Sequence, residues 1–193
     1  HTYDALGRLW TTTAPDPDGL QGRLSAPMST FRYDVVGNLL STTDHLGRTT
    51  TSTYDSRNRV LSVTQPDADL ADHFSAPVTT YTYDLVGNKI QETDALGNTT
   101  DYVYDNLNRL TTTILPDALV NDRLARSTMT FIYDLAGNLT STADAAGRTT
   151  FSIYDLLNRK TQDRAVDPDG VGIANPAVIT QYTYDVAGNL LTS

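Results

Sequence analysis

Short runs of mixed apolar and polar residues, bounded by turn-forming residues, follow one another along the whole chain. The runs are rich in Thr, Tyr, Val, Ile and Phe, as in VTTYTY, TMTFIY and VITQYTY. These residue types favour strands. No stretch sustains the period of a helix. The pattern predicts an all-β chain, an antiparallel β-meander ribbon of about fifteen short strands.

The dipeptide Tyr-Asp divides these runs at a regular interval. It occurs with the tyrosine at positions 3, 33, 54, 83, 104, 133, 154 and 184. Steps of 21 residues alternate with steps of 29 or 30, so the repeat is a double unit of about 50 residues. A period of this length predicts an array in which each unit packs on its neighbours. We expect residues 1–193 to form a single array of four double repeats, incomplete at both ends, from a longer protein or filament.

A turn follows every Tyr-Asp, as in YDVVGN and YDLLNR, and its fourth position after Tyr is always Gly or Asn. Both residues tolerate the left-handed backbone region, which predicts a type I turn closed by a residue with positive φ and capped by the Asp carboxylate. Because a β-branched residue is strained there, Gly87→Val should cost about 1–2 kcal/mol. The predicted structural turn residues are Tyr33, Asp34, Gly37, Tyr54, Asp55, Asn58, Tyr83, Asp84, Gly87, Tyr104, Asp105, Asn108, Tyr133, Asp134, Gly137, Tyr154, Asp155, Asn158, Tyr184, Asp185 and Gly188.

Three further turns lack the tyrosine and span residues 44–47, 94–97 and 144–147. Consecutive turns of a meander lie at opposite ends of the strands, so every Tyr-Asp turn is predicted on one rim. The opposite rim then carries the three Tyr-less turns and four long loops. These loops are roughly residues 14–28, 65–77, 115–127 and 165–177.

Composition favours a sheet without a large solid core. Hydrophobic residues make up 39% of the chain, below the roughly 45–50% usual for globular domains. The segment LWTTT at residues 9–13 places Thr on both faces, whereas a sandwich needs a continuous apolar face. This pattern favours a hollow shell or tube.

Charge and cysteine content exclude several kinds of function. The net charge is −9, and Glu92 is the single glutamate, so the acidity resides in Asp residues, of which eleven open turns. This balance argues against nucleic acid and anionic membranes as partners. The absence of Cys excludes disulfide and thiolate chemistry, and no apolar run is long enough to cross a membrane. We expect the partners to be the chain itself, through exposed edge strands near Arg8–Thr13 and Asn189–Ser193, or flanking repeats of the same parent.

The core Tyr-Asp-x-x-Gly-Asn/Arg-Leu, as in YDVVGNLL at 33–40 and YDLAGNLT at 133–140, resembles the RHS/YD-repeat family. The aromatic-x-Tyr-Asp that precedes it also fits, as at residues 81–84. Members include bacterial polymorphic toxins, shells of insecticidal toxin complexes, wall-associated proteins and teneurins. The resemblance implies a β ribbon coiling into a hollow shell, in a secreted or cell-surface setting, with an enclosed cargo domain as a partner. This chain is too short to close such a shell and carries no cargo domain.

The family also has a self-cleaving aspartate site, Asp-Pro-x-Gly-Leu, at the end of the shell. Residues 16–20 match these letters and residues 167–171 nearly do. The family motif has Pro five residues earlier, where this chain has Thr11 and Gln162, and both copies lie between predicted strands. We therefore interpret both as loop turns and expect no enzymatic activity, with an aspartate self-protease as the enzymatic alternative.

The long loops carry acidic residues that could bind Ca²⁺, a cation that takes six to eight oxygen ligands. None of the loops has the EF-hand pattern, so solvated turn residues are the competing interpretation, and no cofactor is expected. The candidates for Ca²⁺ are Asp16, Asp18, Asp67, Asp69, Asp72, Asp167 and Asp169.

Other candidate sites have equally simple structural explanations. Residues 72–75 bring Asp, His and Ser together, but four consecutive loop residues do not give the geometry of a catalytic triad. The repeated tyrosines could stack on a surface glycan, although their regular place before each turn fits structural ladders. Asn98 and Asn138 lie in glycosylation sequons, and a turn Asn is the alternative at both.

These observations favour a non-enzymatic structural segment of a secreted or cell-surface protein, forming part of a shell, tube or extracellular filament. The alternative is a carbohydrate-binding or Ca²⁺-dependent adhesion module that uses the long-loop rim.

Overall fold

The computed structural model describes residues 1–16, 26–67, 75–117, 126–166 and 178–192, and every regular element in these ranges is a β-strand. The first eight strands are β1 (Thr2–Tyr3), β2 (Leu9–Thr13), β3 (Met28–Tyr33), β4 (Leu39–Thr43), β5 (Thr49–Tyr54), β6 (Val60–Thr64), β7 (Val78–Tyr83) and β8 (Lys89–Thr93). The others are β9 (Thr99–Tyr104), β10 (Leu110–Ile114), β11 (Thr128–Tyr133), β12 (Leu139–Ala143), β13 (Thr149–Tyr154), β14 (Lys160–Ala165), β15 (Ile179–Gln181), β16 (Thr183–Tyr184) and β17 (Leu190–Thr192).

The strands are ordered as a meander. Strands β1 to β15 follow chain order in one sheet, and β16 pairs with β17 in a second, two-stranded sheet. Tyr182 alone separates β15 from β16, and its backbone N–H still donates to the Thr161 carbonyl at 2.9 Å. The predicted all-β antiparallel meander is confirmed, and the predicted number of strands is close to the observed number.

Contacts divide the chain into two compact units. Unit 1 comprises residues 1–82 and 92–98, and unit 2 comprises residues 83–91 and 99–193. Within each unit, sequential strands pair antiparallel, so successive connections lie at alternate ends of the strands. The Tyr-Asp turns of each unit therefore share one rim. The Tyr-less turns and the bases of the long loops share the other.

The N-terminal edge of the sheet differs from the prediction. Strand β2 pairs with β3 on one side and with β1 on the other. The prediction that Arg8–Thr13 forms the edge is therefore wrong, because the turn after Tyr3 folds Thr2–Tyr3 back against β2. The outer strand is β1.

Each Tyr-Asp hairpin described in register contains one β-bulge. In the β3–β4 pair, Tyr33 lies opposite Leu39 but Arg32 lies opposite Ser41, so one residue of β4 is extra. The same shift lies between the tyrosine and the residue before it at Tyr54, Tyr104, Tyr133 and Tyr154. The Tyr-less pairs β4–β5 and β12–β13 have no shift. Since a bulge strengthens the local twist, the two rims impose different local geometry on the strands.

Burial is shallow throughout the described residues. No apolar side chain among them is fully buried, and the buried residues are polar, Thr113 and Ser141. Strand β5 alternates between exposed and half-buried positions. The stability of each unit must therefore depend strongly on hydrogen bonds and on half-buried aromatic contacts. Among the described residues, no helix has the length and apolar character needed to span a membrane.

Candidate functional site

The Tyr-Asp rim is the most regular feature of both units, and one carboxylate organises each of its turns. In the turn after Tyr33, Asp34 Oδ1 accepts the backbone N–H groups of Val36, Gly37 and Asn38 at 3.0, 2.8 and 2.8 Å. Its Oδ2 accepts Asn38 Nδ2 at 2.7 Å. The Asp34 N–H closes the turn on the Asn38 carbonyl at 2.9 Å. The side chain thus satisfies donors that a tight turn leaves without strand partners.

Turns that end in Arg use the same arrangement with an added charge. In the turn after Tyr104, Asp105 Oδ1 accepts the N–H groups of Leu107 and Arg109, and Oδ2 accepts Arg109 Nε at 2.7 Å. The bond from the Arg109 side chain, followed by that from its backbone, holds the pKa of Asp105 below its ordinary value of 3.8. The Asn138 side chain has the same effect on the pKa of Asp134.

The fourth turn position is left-handed at every residue for which it was predicted. The φ angles are 62°, 60° and 58° at Asn58, Asn108 and Asn158, and they lie between 88° and 111° at Gly188 and Gly87. Gly37 and Gly137, at 103° and 90°, fall in the same range. A Cβ added at Gly137 would meet no atom within 4 Å, so the requirement is for backbone conformation rather than for space.

Five of the Tyr-Asp hairpins are tied to the preceding one by their tyrosine. The Tyr54 hydroxyl donates to the Leu39 carbonyl at 2.9 Å, and the Tyr133 hydroxyl donates to the Leu110 carbonyl at 3.0 Å. Tyr104, Tyr154 and Tyr184 make the equivalent bond to Lys89, Leu139 and Lys160. The acceptor is always the first residue of the strand that leaves the preceding Tyr-Asp turn. The repeated tyrosine therefore links hairpin to hairpin along the rim.

A second bond joins neighbouring turns across the 21-residue step. Asn38 Nδ2 donates both to its own Asp34 and to Asn58 Oδ1, the latter at 2.9 Å. Asn88 pairs with Asn108 at 3.0 Å and Asn138 pairs with Asn158 at 2.9 Å in the same way.

A different pair of contacts joins neighbouring turns across the longer step. Arg8 Nη1 donates to the Asp34 carbonyl at 2.7 Å, and the guanidinium lies 4.9 Å from the centre of the Tyr33 ring. Arg109 repeats both contacts with Asp134 and Tyr133, at 3.1 and 4.7 Å. Arg159 repeats them with Asp185 and Tyr184, at 3.5 and 4.8 Å. A guanidinium over an aromatic face is attractive, so one Arg serves its own Asp and the next hairpin.

These inter-turn bonds explain an alternation that is visible in the sequence. Turns ending in Gly-Asn and turns ending in Asn-Arg alternate from Tyr33 to Tyr184. Sequence reasoning identified the left-handed position but missed the role of the fifth position, and it missed Asn38, Asn88 and Arg109 as linking residues. The signal was the strict order of the two endings.

The tips of the Tyr-Asp turns are apolar and exposed. Val35 is 94% exposed, Leu135 is 106% exposed and Val186 is 110% exposed relative to an extended reference. Type I turns accept most residues at these positions, so turn formation does not require apolar side chains there. The rim therefore presents a row of apolar tips beside the Asp-centred hydrogen bonds.

The opposite rim carries the long loops and, in unit 1, a groove. The bases of the loops are closed by backbone bonds, including Ala14 N–H to the Pro27 carbonyl and Gln65 N–H to the Pro77 carbonyl. The groove has a volume of about 600 Å³. Phe31, Arg48 and Pro66 are among its lining residues.

The predicted Ca²⁺ ligands fall mainly outside the described residues. Asp16 and Asp67 are described, whereas Asp18, Asp69, Asp72, Asp167 and Asp169 are not. In the described ranges no group of three or more His, Asp or Glu side chains could hold a metal ion. The Asp-Pro-x-Gly motifs extend beyond the described residues as well, as does residue His73 of the Asp-His-Phe-Ser segment.

Both glycosylation sequons lie in turns whose amides already have partners. Asn98 Nδ2 donates to Asp94 at 2.8 Å, and Asn138 Nδ2 donates to both Asp134 and Asn158. In the folded array these amides therefore act as turn donors.

Unit 2 contains two further polar clusters that sequence reasoning missed. Arg126 donates to the Leu115 carbonyl at 2.7 Å and to the Ile114 carbonyl at 3.0 Å, and it forms an ion pair with Asp101. Hydrogen bonding from Gln91, followed by that from Arg126, lowers the pKa of Asp101. The arrangement clamps the base of the loop between β10 and β11.

The second cluster surrounds Asp163 on β14. Its carboxylate accepts from Ser152 Oγ at 2.5 Å, from the Tyr182 hydroxyl at 2.9 Å and from Lys160 Nζ at 3.2 Å. Burial acts to raise the pKa of Asp163, but these bonds outweigh it and the pKa is lowered. All three groups are bonded to the carboxylate, so the cluster connects β13, β14 and the β15–β16 segment.

Comparison with known proteins identifies the repeat. A model of the RHS repeat family matches residues 33–69, 83–120 and 133–171, more than half of the chain. This chain belongs to the RHS repeat family. Each matched segment begins at the tyrosine of a Gly-Asn turn, so the matches recur with the period of the double repeat. No curated protein matches the chain.

Solved structures with the same fold include components of toxin complexes. The chain is similar to TcdB2-TccC3 and to TcdB2-TccC3 without its hypervariable C-terminal region, each with a TM-score of 0.71 and with 17% and 18% identity. A Photorhabdus luminescens Tc holotoxin pore gives a TM-score of 0.67 at 18% identity. The first two matches cover 98% of this chain and 11% of the matched chain, and the third covers 95% and 10%. At this identity the likeness establishes the fold, and the RHS segment spans about a tenth of those chains.

Proposed function

We propose that this chain is a non-enzymatic structural segment of a longer, secreted or cell-surface RHS-repeat protein. It forms part of the wall of a β-sheet shell, tube or extracellular filament. Residues 1–193 act as one array, and the partners are flanking repeats, further copies of the array or an enclosed cargo domain.

The observation that carries this proposal is the repeated connection of hairpin to hairpin. Tyr133, Tyr154 and Tyr184 each donate to the preceding hairpin of unit 2. The described residues bury no apolar side chain fully, so the array gains its order from bonds between neighbours rather than from a closed core. Such bonds extend with every added repeat. This property suits a wall better than a catalytic domain, whose reactive groups need a protected cavity.

The apolar tips of the Tyr-Asp rim support a setting in which the sheet packs against other protein. Large exposed apolar surfaces usually mark interaction sites. Tips such as Val35 and Leu135 recur along the rim, so a neighbouring stretch of ribbon is a fitting partner. Further repeats of the same array would provide that stretch.

The test is electron cryomicroscopy of the parent protein. We expect residues 1–193 to lie within a continuous sheet whose Tyr-Asp rim runs on into flanking hairpins. Detection of the parent in the culture medium or by protease treatment of intact cells would establish its location. A segment that stands alone, with its long loops directed at a bound ligand, would contradict the proposal.

The groove of unit 1 favours carbohydrate binding or adhesion as a second candidate. Phe31 supplies an aromatic surface, and Arg48 and Gln65 supply polar groups around it, the combination that small-molecule sites use. The measurement is a glycan array with and without Ca²⁺, using Phe31→Ala as the matched variant. Signal that is lost in this variant would support the second candidate, and an array without signal would remove it.

A further inference from the structure

We propose that the residues at the fourth and fifth turn positions divide the Tyr-Asp hairpins into two classes and favour contact between hairpins of unlike class. We call this relation the pairing code. The inference rests on the proposed structural function. We name turns that end in Gly-Asn (37–38, 87–88, 137–138, 188–189) GN turns. Turns that end in Asn-Arg (58–59, 108–109, 158–159) are NR turns. A free hairpin edge of the GN class is then a docking surface for a hairpin of the NR class.

Across the 21-residue step, the code matches a side-chain donor at the fifth position of a GN turn to a side-chain acceptor at the fourth position of an NR turn. Asn138 of a GN turn is fixed by its bond to Asp134 and directs its remaining amide hydrogen at Asn158 Oδ1 of the following NR turn. Asn158 can present that oxygen because Asn is the residue other than Gly that readily adopts the left-handed region. A second GN turn in the same place would offer Gly, which has no side-chain acceptor. The bond therefore requires the order GN followed by NR.

Across the step of 29 or 30 residues, the code depends on the length of the side chain at the fifth position. Arg109 of an NR turn spans from its own Asp105 to the Asp134 carbonyl and the Tyr133 ring of the following GN turn. Asn at the fifth position ends two atoms beyond Cβ and lacks the planar cation that stacks on the ring. The order NR followed by GN is favoured here.

The first turn of the chain provides an independent check of this division of roles. It ends in Gly7-Arg8 and is followed by a GN turn after the long step. Arg8 makes both contacts to that turn even though Gly7 carries no side chain. The fifth position therefore serves the long step and the fourth position serves the short step.

The hairpin β16–β17 has a GN turn and lies at an edge of the described sheet. Asn189 Nδ2 donates to Asp185 at 2.8 Å, and in the described part of the chain no following turn lies beside it. The equivalent residues of the other GN hairpins, Leu39 and Leu139, accept a tyrosine hydroxyl from the next hairpin. The edge thus offers the amide of Asn189 and the carbonyl of Leu190. The partner that fits is a β-hairpin with the sequence Tyr-Asp-x-x-Asn-Arg from flanking repeats of the parent chain.

The internal code is tested by one substitution placed at two sites. Asn138→Arg keeps a fifth-position partner for Asp134, as Arg109 is for Asp105, but removes the bond to Asn158. Asn189→Arg makes the same change where no following turn is present. We expect a lower urea midpoint for Asn138→Arg and an unchanged midpoint for Asn189→Arg.

A second variant removes the acceptor and leaves the turn intact. Asn158→Gly keeps the left-handed conformation, so it should lower the midpoint as Asn138→Arg does, and the double variant should fall no further. In the single variant, exchange of the Asn138 side-chain amide with solvent should become roughly five-fold faster, the factor expected for one hydrogen bond. Additive losses in the double variant, or unchanged exchange at Asn138, would overturn the code.

The edge is tested with two peptides added to the isotope-labelled full chain. One peptide has the sequence of residues 149–165, an NR hairpin, and the control has the sequence of residues 128–143, a GN hairpin. We expect the NR peptide to shift the Asn189 side-chain amide signal at concentrations where the GN peptide does not. The selectivity should be lost in Asn189→Arg. Equal shifts with both peptides, or no shift with either, would overturn the docking proposal.

A dilution series without peptide separates this partner from a second copy of the chain. The first hairpin of a second copy ends in Gly7-Arg8 and has no fourth-position Asn, so it should not reproduce the effect of the NR peptide. A shift of the Asn189 amide with concentration that is as large as the shift caused by the NR peptide would overturn the requirement for that Asn. If cryomicroscopy shows the wall but the two peptides shift the Asn189 signal equally, the code is wrong and the proposed function still stands.

Discussion

At each turn of the Tyr-Asp rim, one carboxylate accepts hydrogen bonds from the turn backbone and from the side chain at the fifth position. Asp34 receives three backbone N–H groups and one side-chain amide. This arrangement requires a left-handed residue three positions later, so two residues of the turn depend on each other. Each hairpin therefore depends on two residues of its turn, the Asp for its charge and the left-handed residue for its backbone conformation.

The backbone requirement can be isolated at Gly137. Its φ is 90°, and an added Cβ would meet open space. Gly137→Val should therefore destabilise by about 1–2 kcal/mol through backbone strain alone. Gly137→Asn should cost much less, since Asn158 adopts this region in a sister turn. Urea unfolding of the two variants provides the measurement, and equal losses would show that the cost is steric.

The carboxylates make stability depend on acid pH. Hydrogen bonds from the Arg109 side chain and from the Asn138 side chain lower the folded pKa of Asp105 and of Asp134 below 3.8. A depressed folded pKa gives stability that is complete above the unfolded value and is lost as pH falls through the folded value. We expect the urea midpoint to be level from pH 7 to about pH 5 and to fall steeply below about pH 4. A midpoint that stays constant down to pH 2 would contradict the role of the turn carboxylates.

At the scale of the element, a hairpin is stabilised by the hairpins on either side of it. The strands are five or six residues long in most hairpins and bury no apolar side chain fully in the described ranges. An isolated two-stranded hairpin is marginal in water. The bonds from the Tyr hydroxyl, the fifth-position Asn and the fifth-position Arg therefore decide whether neighbouring hairpins remain in register.

The hydroxyl bond is tested by Tyr154→Phe. This change keeps the ring but removes the donor to the Leu139 carbonyl, and it should cost about 0.5–1.5 kcal/mol. Tyr3→Phe is the matched control, because Tyr3 lies on the outer strand β1 and is 61% exposed. Thermal unfolding by circular dichroism compares the two variants. A loss at Tyr3 as large as that at Tyr154 would argue against a specific link between hairpins.

At the scale of the whole molecule, each outer strand is paired on one side only among the described residues. The outer strands are β1 and β17. Exposed edges recruit further strands, and a head-to-tail contact that does not close on itself leads to filaments. The apolar tips of the Tyr-Asp rim add a second surface through which copies can associate.

The isolated 193-residue chain should therefore self-associate in a concentration-dependent way. Sedimentation velocity over a hundred-fold dilution range is the measurement. Leu191→Pro, which removes a backbone donor from β17, should weaken association through the edge, and Val35→Ser with Val36→Ser should weaken association through the rim. A monomer that persists at every concentration, with β1 and β17 ordered, would contradict the prediction.

The sequence by itself determined the local structure of this protein. Runs rich in Thr and aromatic residues set the strands, and the fixed place of Gly or Asn set the left-handed turn position at residues such as Gly37 and Asn58. The alternating spacing of the Tyr-Asp dipeptides set the meander, and their repeated motif set the family. These features depend on residue types and on spacing along the chain, so they can be recognised without knowing which hairpins touch.

Only the tertiary structure decided which hairpins touch and through which atoms. It placed β1 outside β2, against the prediction, and it joined Asn38 to Asn58 and Arg109 to Tyr133 across 20 or more residues. The spacing of the Tyr-Asp dipeptides gives the order of the turns along the chain. It does not show where the side chains of one hairpin meet the next hairpin, because a bulge of one residue shifts the strand register. The bonds that hold the array together therefore appear only when the strands are in register.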